Sequence, residues 1–260
     1  QHFNHLIANF RTANVKTSNL KFINMQAKRN ALQQLDRLFK PKTIAVIGAS
    51  VRPEKVGYVV LRNMLEAGYR GKLYAVNPKY TEVQGQPCVR SIHRVPVLVD
   101  LAVITTPAHT IPNLVEECGE AGVGGVVIIS AGFREAGAEG QQLYARVLEI
   151  ARKYEVRILG PNSVGIINPH LNLNAAYVNR MALKGNIAFV SQSAALCASI
   201  LDWSVEQHVG FSHFVSVGAM MDVNFADLID YLGTDNTTSS ILIYMESLTE
   251  ARRFMIAARG

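Results

Sequence analysis

The sequence predicts an α/β fold made of two successive series of parallel βαβ units, and three observations carry the prediction. From Lys42 onward, short β-branched runs alternate with longer helical stretches. The short runs are apolar at nearly every position, as strands covered on both faces require. A Pro- and Asn-rich stretch over 160–185 breaks the alternation once, after which it resumes.

Residues 1–34 are read as an extension outside the fold. They begin with Gln1, are Asn-rich, and contain no apolar segment ending in a small-residue cleavage site. Met25 reads as the natural start, with residues 1–24 added upstream of it; a basic, acid-poor mitochondrial targeting segment is the alternative. Leu32, Leu35, Leu38 and Phe39 then give a short amphipathic helix. In the first series, covering 35–168, strands are expected at 43–47, 72–76, 100–104, 126–129 and 156–159. Helices are expected at 57–67, 110–121 and 139–154. That makes five parallel strands. The stretch from 160, with 169–185 as its core, reads as an interdomain linker, because Pro161, Asn162, Asn168, Pro169, Asn172, Asn174 and Asn179 punctuate it. The second series, 186–260, has strands at 186–191, 211–217 and 240–245 and helices at 194–207, 224–232 and 249–259. Three βα units are few for a doubly wound sheet, so the second domain is expected to be truncated and the chain to be the front part of a longer protein.

Composition excludes several classes. The chain has 260 residues, of which 49% are hydrophobic and 18% charged, enough to bury a large core, and this rules out global disorder. No run approaches the roughly 20 apolar residues that span a bilayer. Cys88, Cys118 and Cys197 stand far apart, without the spacing of a disulfide framework or a metal site, so no metal is expected and a reducing, cytoplasmic setting fits. The formal charge of +6 is concentrated at the front, where eight basic residues in 1–42 face only Asp36. The remaining body is close to neutral and lacks basic residues interleaved with aromatics, so nucleic acid is not expected as a partner.

The strand ends suggest a ligand site. After the first strand comes Gly48-Ala49-Ser50, and the next helix opens near Gly57. A glycine leaving the strand and free helix amides together suit a phosphate, although the spacing is not GxGxxG and a plain turn is the alternative. The second strand ends in Asn77-Pro78-Lys79. A dehydrogenase places a ribose-binding acid there, so a cation points instead to a phosphate-bearing ligand such as coenzyme A or NADP; a solvated surface lysine is the other reading. Thr105-Thr106-Pro107, Ser130-Ala131-Gly132 and Gly160-Pro161-Asn162 close the remaining strands, and ligands of open α/β sheets bind at such carboxyl ends. In the second series, Ser191, Gln192 and Ser193 stand between a strand and a helix, where hydroxyls and free amides suit phosphate, or where Ser193 is simply an N-cap. Trp203, on a face with Ile200 and Leu201, reads as core, and Cys197 as buried. Asp222 and Asn224 mark a helix start. The seven histidines read as surface or helix-end residues.

In order along the chain, VIGAS, VNPKY, PCV, DLAVITTPA, VVIISAGF, LGPNS, NLNA, SQSAA, ILDW, GFS, FADLIDYL and ILIYMES resemble the α-subunit region of the NDP-forming acyl-CoA synthetases, relatives of succinyl-CoA synthetase. The resemblance runs from about Leu35 to the end. It implies a Rossmann-like CoA-binding domain followed by a truncated flavodoxin-like (CoA-ligase) domain. It implies CoA held by Gly48, Ala49, Ser50, Gly57, Asn77, Lys79, Thr106, Pro107, Ser130, Ala131, Gly132 and Asn162, and phosphate handled at Ser191, Gln192 and Ser193. Glu246 matches the family's glutamate that orients a phosphorylated histidine, with a cap for the helix that follows it as the other reading. The Gly-His-(Thr or Ala)-Gly loop carrying that histidine does not occur in these 260 residues. ATP or ADP with Mg, the remaining C-terminal domains or a β-type ATP-grasp subunit, and an oligomer are the implied companions. Asn162-Ser163 and Ser193-Ala194-Ala195 resemble the branch fused to a lysine acetyltransferase domain. Two alternatives stay open: a non-catalytic module sensing CoA or acyl-CoA, favoured by Ala194 and the Gly218-Ala219-Met220-Met221 loop, and an NADP-binding redox domain.

Overall fold

The structure is a computed structural model that describes residues 34–260, so the extension and its basic residues fall outside the described residues except for Gln34. Residues 34–39 are helical, with Leu35, Leu38 and Phe39 fully buried. The first sheet contains seven strands in the order β3-β4-β2-β1-β5-β6-β7. These are β1 (Thr43–Ile47), β2 (Lys72–Val76), β3 (Glu82–Val83), β4 (Gln86–Val89), β5 (Leu101–Ile104), β6 (Gly125–Ile128) and β7 (Arg157–Leu159). All pairs are parallel except β3 with β4. Helices α1 (Val56–Glu66), α2 (Ile111–Glu120) and α3 (Ala138–Lys153) connect them. The hairpin β3–β4 was not foreseen; Gly85 at φ +75° makes its turn, and β4 extends the sheet beyond β2.

The second sheet has the order β12-β10-β11-β8-β9, formed by β8 (Gly165–Asn168), β9 (Leu173–Ala176), β10 (Lys184–Ser191), β11 (Phe211–Ser216) and β12 (Ser240–Tyr244). The stretch expected to be a linker over 169–185 therefore supplies part of this sheet. β8 pairs antiparallel with β11 and β9 with β8, and all eight of their residues are buried. Their asparagines serve the fold: Asn168 caps the short helical turn before β9, and Asn172 takes the left-handed conformation at φ +53° that ends it. The parallel half, β12-β10-β11, is connected through α4 (Ala194–Glu206) and α5 (Phe225–Leu232) and followed by α6 (Ala251–Ala257). Asn224 opens α5 with a capping box completed by Asp227, as its position predicts.

One continuous apolar core joins the sheets. Ile44, Val46, Val103 and Leu159 of the first sheet share it with Ile166, Val190, Val215 and Phe225 of the second unit. The opposite face of the first sheet packs on α2 and α3, through Ile104, Val115, Ile128 and Val147. Polar contacts fix the seam. Asn63 on α1 donates to Ala176 O at 2.9 Å and Val178 O at 2.7 Å, satisfying carbonyls of the edge strand β9 and of the chain just beyond it. Tyr231 on α5 donates to Asp36, and Lys40 pairs with Asp235 at 2.8 Å, so the first described residues clasp the second unit.

Two side-chain readings are corrected. Trp203 is 52% exposed, not core, because the buried stripe of α4 runs through Cys197, Leu201 and Ser204, and Trp203 lies about 200° around the helix from Leu201. His213 is not a surface histidine: it lies in β11, where every residue is buried, and it is 1% exposed. Cys197 is fully buried as expected, and burial raises its thiol to about 11.

Candidate functional site at the carboxyl strand ends

The strand order places β1 beside β5, so the chain leaves these two neighbours in opposite directions and a crevice opens beyond their carboxyl ends. Gly48 leaves β1 at φ +93°; a Cβ there would sit 2.7 Å from Thr105 Oγ1 and 2.8 Å from Thr106 Cγ2. Gly57 lets α1 approach equally closely, since its Cβ would overlap the Gly48 carbonyl. Only two glycines permit this crossing of turn and helix. The amides of Ala49 and Ser50 make no hydrogen bond among the described residues, although both residues are buried. Ser50 Oγ accepts from Arg52 N at 3.0 Å and shapes the turn.

Hydrogen bonds tie successive strand ends to one another. Asn77 Nδ2 donates to Ala49 O at 2.8 Å, joining the β2 and β1 turns, and Asn77 Oδ1 accepts from Lys79 N at 2.9 Å. Thr105 Oγ1 donates to Ile47 O at 3.0 Å, joining β5 to β1. Ser130 Oγ donates to Thr106 O, joining β6 to β5, and Asn162 N donates to Ser130 O at 2.9 Å, joining β7 to β6. All twelve first-sheet residues named from the sequence thus lie on one rim, except that Gly57 sits just behind it, within the first turn of α1. Lys79, Pro107, Ala131 and Asn162 are exposed on that rim, while Ala49 and Ser50 are buried beneath it. The sequence reading placed Thr105 at a strand end without giving it a role, and its hydroxyl is the β1–β5 link; it missed Glu135, whose carboxylate accepts from Gly132 N at 2.7 Å. Burial opposes ionisation of Glu135, yet the backbone amides it accepts hold its pKa below the ordinary value.

In the second unit Ser191, Gln192 and Ser193 do stand between β10 and α4, but their side chains are already engaged. Ser193 Oγ accepts from Leu196 N at 3.3 Å as the N-cap. Ser191 Oγ accepts from Ser193 N at 3.0 Å. Gln192 Oε1 accepts from Glu246 N at 2.6 Å and Ser247 N at 2.9 Å, clamping the turn after β12. Glu246 is exposed on that turn. It does not cap the following helix, which begins at Ala251. Among the described residues there is no group of three His, Cys, Asp or Glu side chains arranged to hold a metal, and no helix long and apolar enough to cross a membrane.

Fold and strand ends define a class: a coenzyme-binding α/β domain fused to a flavodoxin-like unit. Residues 42–169 match the family described as CoA binding domain, and residues 184–260 match the succinyl-CoA ligase like flavodoxin domain. More particularly, the chain is a homologue of the α-subunit region of the ADP-forming acyl-CoA synthetases. It is 48% identical over 226 residues to the acetate–CoA ligase (ADP-forming) II subunit alpha of Pyrococcus furiosus, covering 86% of this chain and 49% of that protein. It is 45% identical over 226 residues to acetate–CoA ligase (ADP-forming) I of Archaeoglobus fulgidus, covering 87% of this chain and 33% of the relative. Among solved structures it matches the dinucleotide-forming acetyl-coenzyme A synthetase 1 of Ca. Korarchaeum cryptofilum, in complex with phosphate and ADP, with TM-score 0.83 and 39% identity over 86% of this chain and 48% of that one. The chain therefore spans between a third and a half of the length of these relatives.

Proposed function

We propose that this chain is the CoA-binding and partial ligase region of an ADP-forming acyl-CoA synthetase, which joins a short carboxylic acid such as acetate to CoA as ATP becomes ADP and phosphate. The observation that carries the reading is the hydrogen-bonded rim at the carboxyl ends of five parallel strands, with the close Gly48–Gly57 crossing and the unpartnered amides of Ala49 and Ser50 at its centre. Such amides and the start of α1 favour an anionic ligand. Gly48, Ala49, Ser50, Gly57, Asn77, Lys79, Thr106, Pro107, Ser130, Ala131, Gly132 and Asn162 would hold CoA, with Lys79 supplying charge to a phosphate. CoA bound there supplies the thiol that accepts the acyl group. Steps that need ATP or ADP with Mg are assigned to further domains or to a β-type ATP-grasp subunit, in keeping with the α-subunit names and greater length of the relatives. Glu246 would orient a phosphorylated histidine supplied from outside these residues.

The test is calorimetric titration of the folded chain with CoA, with NADP and NAD in parallel. Saturable CoA binding, weakened roughly tenfold or more by Lys79→Glu, supports the reading. Binding of NADP with none of CoA would sink it in favour of a redox domain.

A second reading, a non-catalytic module that senses CoA or acyl-CoA, is favoured by the second-unit turn.

 Ser191, Gln192 and Ser193 already spend their side chains on the fold, which leaves chiefly the amides at the start of α4 for a phosphate. The resemblance of Asn162-Ser163 and Ser193-Ala194-Ala195 to the acetyltransferase-fused branch supports this second reading. Titration with inorganic phosphate separates the two: saturable binding lost in Ser193→Asp favours ligase chemistry, whereas CoA binding with no phosphate binding favours sensing.

A further inference from the structure

The outer edge of β7 has no further strand beside it, and a loop of the second unit takes that place. Val223 N donates to Ile158 O at 3.0 Å, Met221 N to Gly160 O at 2.9 Å and Ala219 N to Pro161 O at 2.9 Å. Asp222 pins the same loop from its side chain, accepting from Ile158 N at 2.9 Å and from Arg157 Nε at 2.8 Å. Arg157 also donates to Asp227 at 3.0 Å. The loop thus runs along β7 and onto the turn that carries Asn162.

Gly218 is the point of closest approach. It has φ +53°, and a Cβ there would overlap Pro161 O and stand 2.6 Å from Asn162 O and 2.8 Å from Asn162 C. These are backbone atoms, so relief requires the 160–162 turn to move. That turn is held from its other side by Asn162 N donating to Ser130 O. The residue before Gly218 is tied to the second sheet, with Val217 N donating to Ser191 O at 2.9 Å. Gly218 therefore stands between the Ser191 strand end of one sheet and the Asn162 strand end of the other.

We propose that Gly218 is a positioning residue through which the second unit holds the 160–162 turn in place, so that the coenzyme site on the first sheet is completed by the second. The proposal rests on the coenzyme reading above for its ligand, but not for its geometry. Any side chain at 218 pushes the turn away, loosens the Asn162–Ser130 hydrogen bond and displaces Asn162 from the rim.

The experiment compares the full chain with Gly218→Ala, Gly218→Asn and a control, Gly68→Ala. Gly68 has φ +68° but nothing within 4 Å of its Cβ, so the control carries the backbone strain without the collision. Asn tolerates the left-handed conformation and keeps the collision. Amide hydrogen exchange without ligand is expected to speed up at Asn162 in both Gly218 variants, roughly tenfold or more relative to Gly68→Ala. CoA affinity is expected to fall about tenfold in both and to stay within about twofold of the parent in the control. In the parent chain, CoA is expected to slow exchange at Ala219, Met221 and Val223 together with Asn162. Unchanged Asn162 exchange in the ligand-free variants overturns the proposal whether or not CoA binds. So does CoA binding by the parent chain that leaves 219–223 unprotected, a measurement that needs no variant to fold. A parent chain that binds no CoA overturns the coenzyme reading instead, and the ligand-free exchange still decides the role of Gly218.

Discussion

Acid should unfold this chain through His213, and the size of the effect follows from the contacts of the ring. Asn168 Oδ1 accepts from Leu171 N, so its Nδ2 is the donor that faces His213 Nε2 at 3.1 Å. Nε2 is therefore the acceptor, and the proton of the neutral ring sits on Nδ1, 3.9 Å from Asp235 Oδ2. A second proton would set Nε2–H against the Asn168 amide hydrogens in a site 1% exposed. Burial lowers the pKa from 6.5 to about 4; Asp235 opposes the fall, and Lys40 and His170 add to it. Because the folded value lies below the unfolded one, the unfolded chain binds the proton first. Stability is then complete above about pH 6.5 and declines as the pH falls toward 4. The loss by pH 4 is about 3 kcal/mol, at roughly 1.4 kcal/mol per tenfold difference in proton affinity. Burial raises the Asp235 carboxyl, but hydrogen bonds from Lys40 and Thr237 outweigh it and hold the group at about 2, so Asp235 stays charged through this window. His213→Gln keeps an acceptor for Asn168 and removes the titration. Urea unfolding from pH 7.5 to 4 should show the parent losing about 3 kcal/mol more than the variant. Parallel losses in the two proteins would refute the reasoning.

Other expectations concern the seam and the rim. Asn63→Ala leaves the Ala176 and Val178 carbonyls without their donor inside the seam and should cost about 1–3 kcal/mol in urea unfolding. Trp203→Gln removes a largely exposed side chain and should change stability by about 0.5 kcal/mol or less, whereas a loss of several kcal/mol would mean that the indole is packed. Gly57→Ala drives a methyl group into the Gly48 carbonyl; it should abolish measurable CoA binding and lower the melting temperature, and wild-type affinity would show that the turn can open at no cost.

The elements that were legible in the sequence are those whose pattern admits one explanation. β1 and β2 fall on the residues expected, because each is a short β-branched or aromatic run bounded by turns. The rim was legible because glycine, proline, serine and asparagine after an apolar strand have few other uses. β8 and β9 were hidden because Asn168, Pro169, Asn172 and Asn174 carry the composition of a connection; only the pairing with β11 turns them into strands. The polar residues of β11, Ser212, His213 and Ser216, look exposed in sequence, yet the strand is covered on both faces and each finds a partner or a buried niche. Gln192 reads as a phosphate ligand from its place before a helix. Its actual contact, 54 residues away on the turn after β12, depends on β10 and β12 being neighbours, which no local pattern reveals.

CoA is expected to sit on the carboxyl rim of the first sheet. Amide chemical-shift mapping of the isotope-labelled chain during a CoA titration tests it most directly. Saturating shifts are expected at Gly48, Ala49, Ser50, Lys79, Ala131, Gly132 and Asn162, with residues at the opposite ends of the strands, such as Thr43, Lys72 and Gly125, unmoved. Shifts confined to those opposite ends, or none in a folded chain at millimolar CoA, would contradict it.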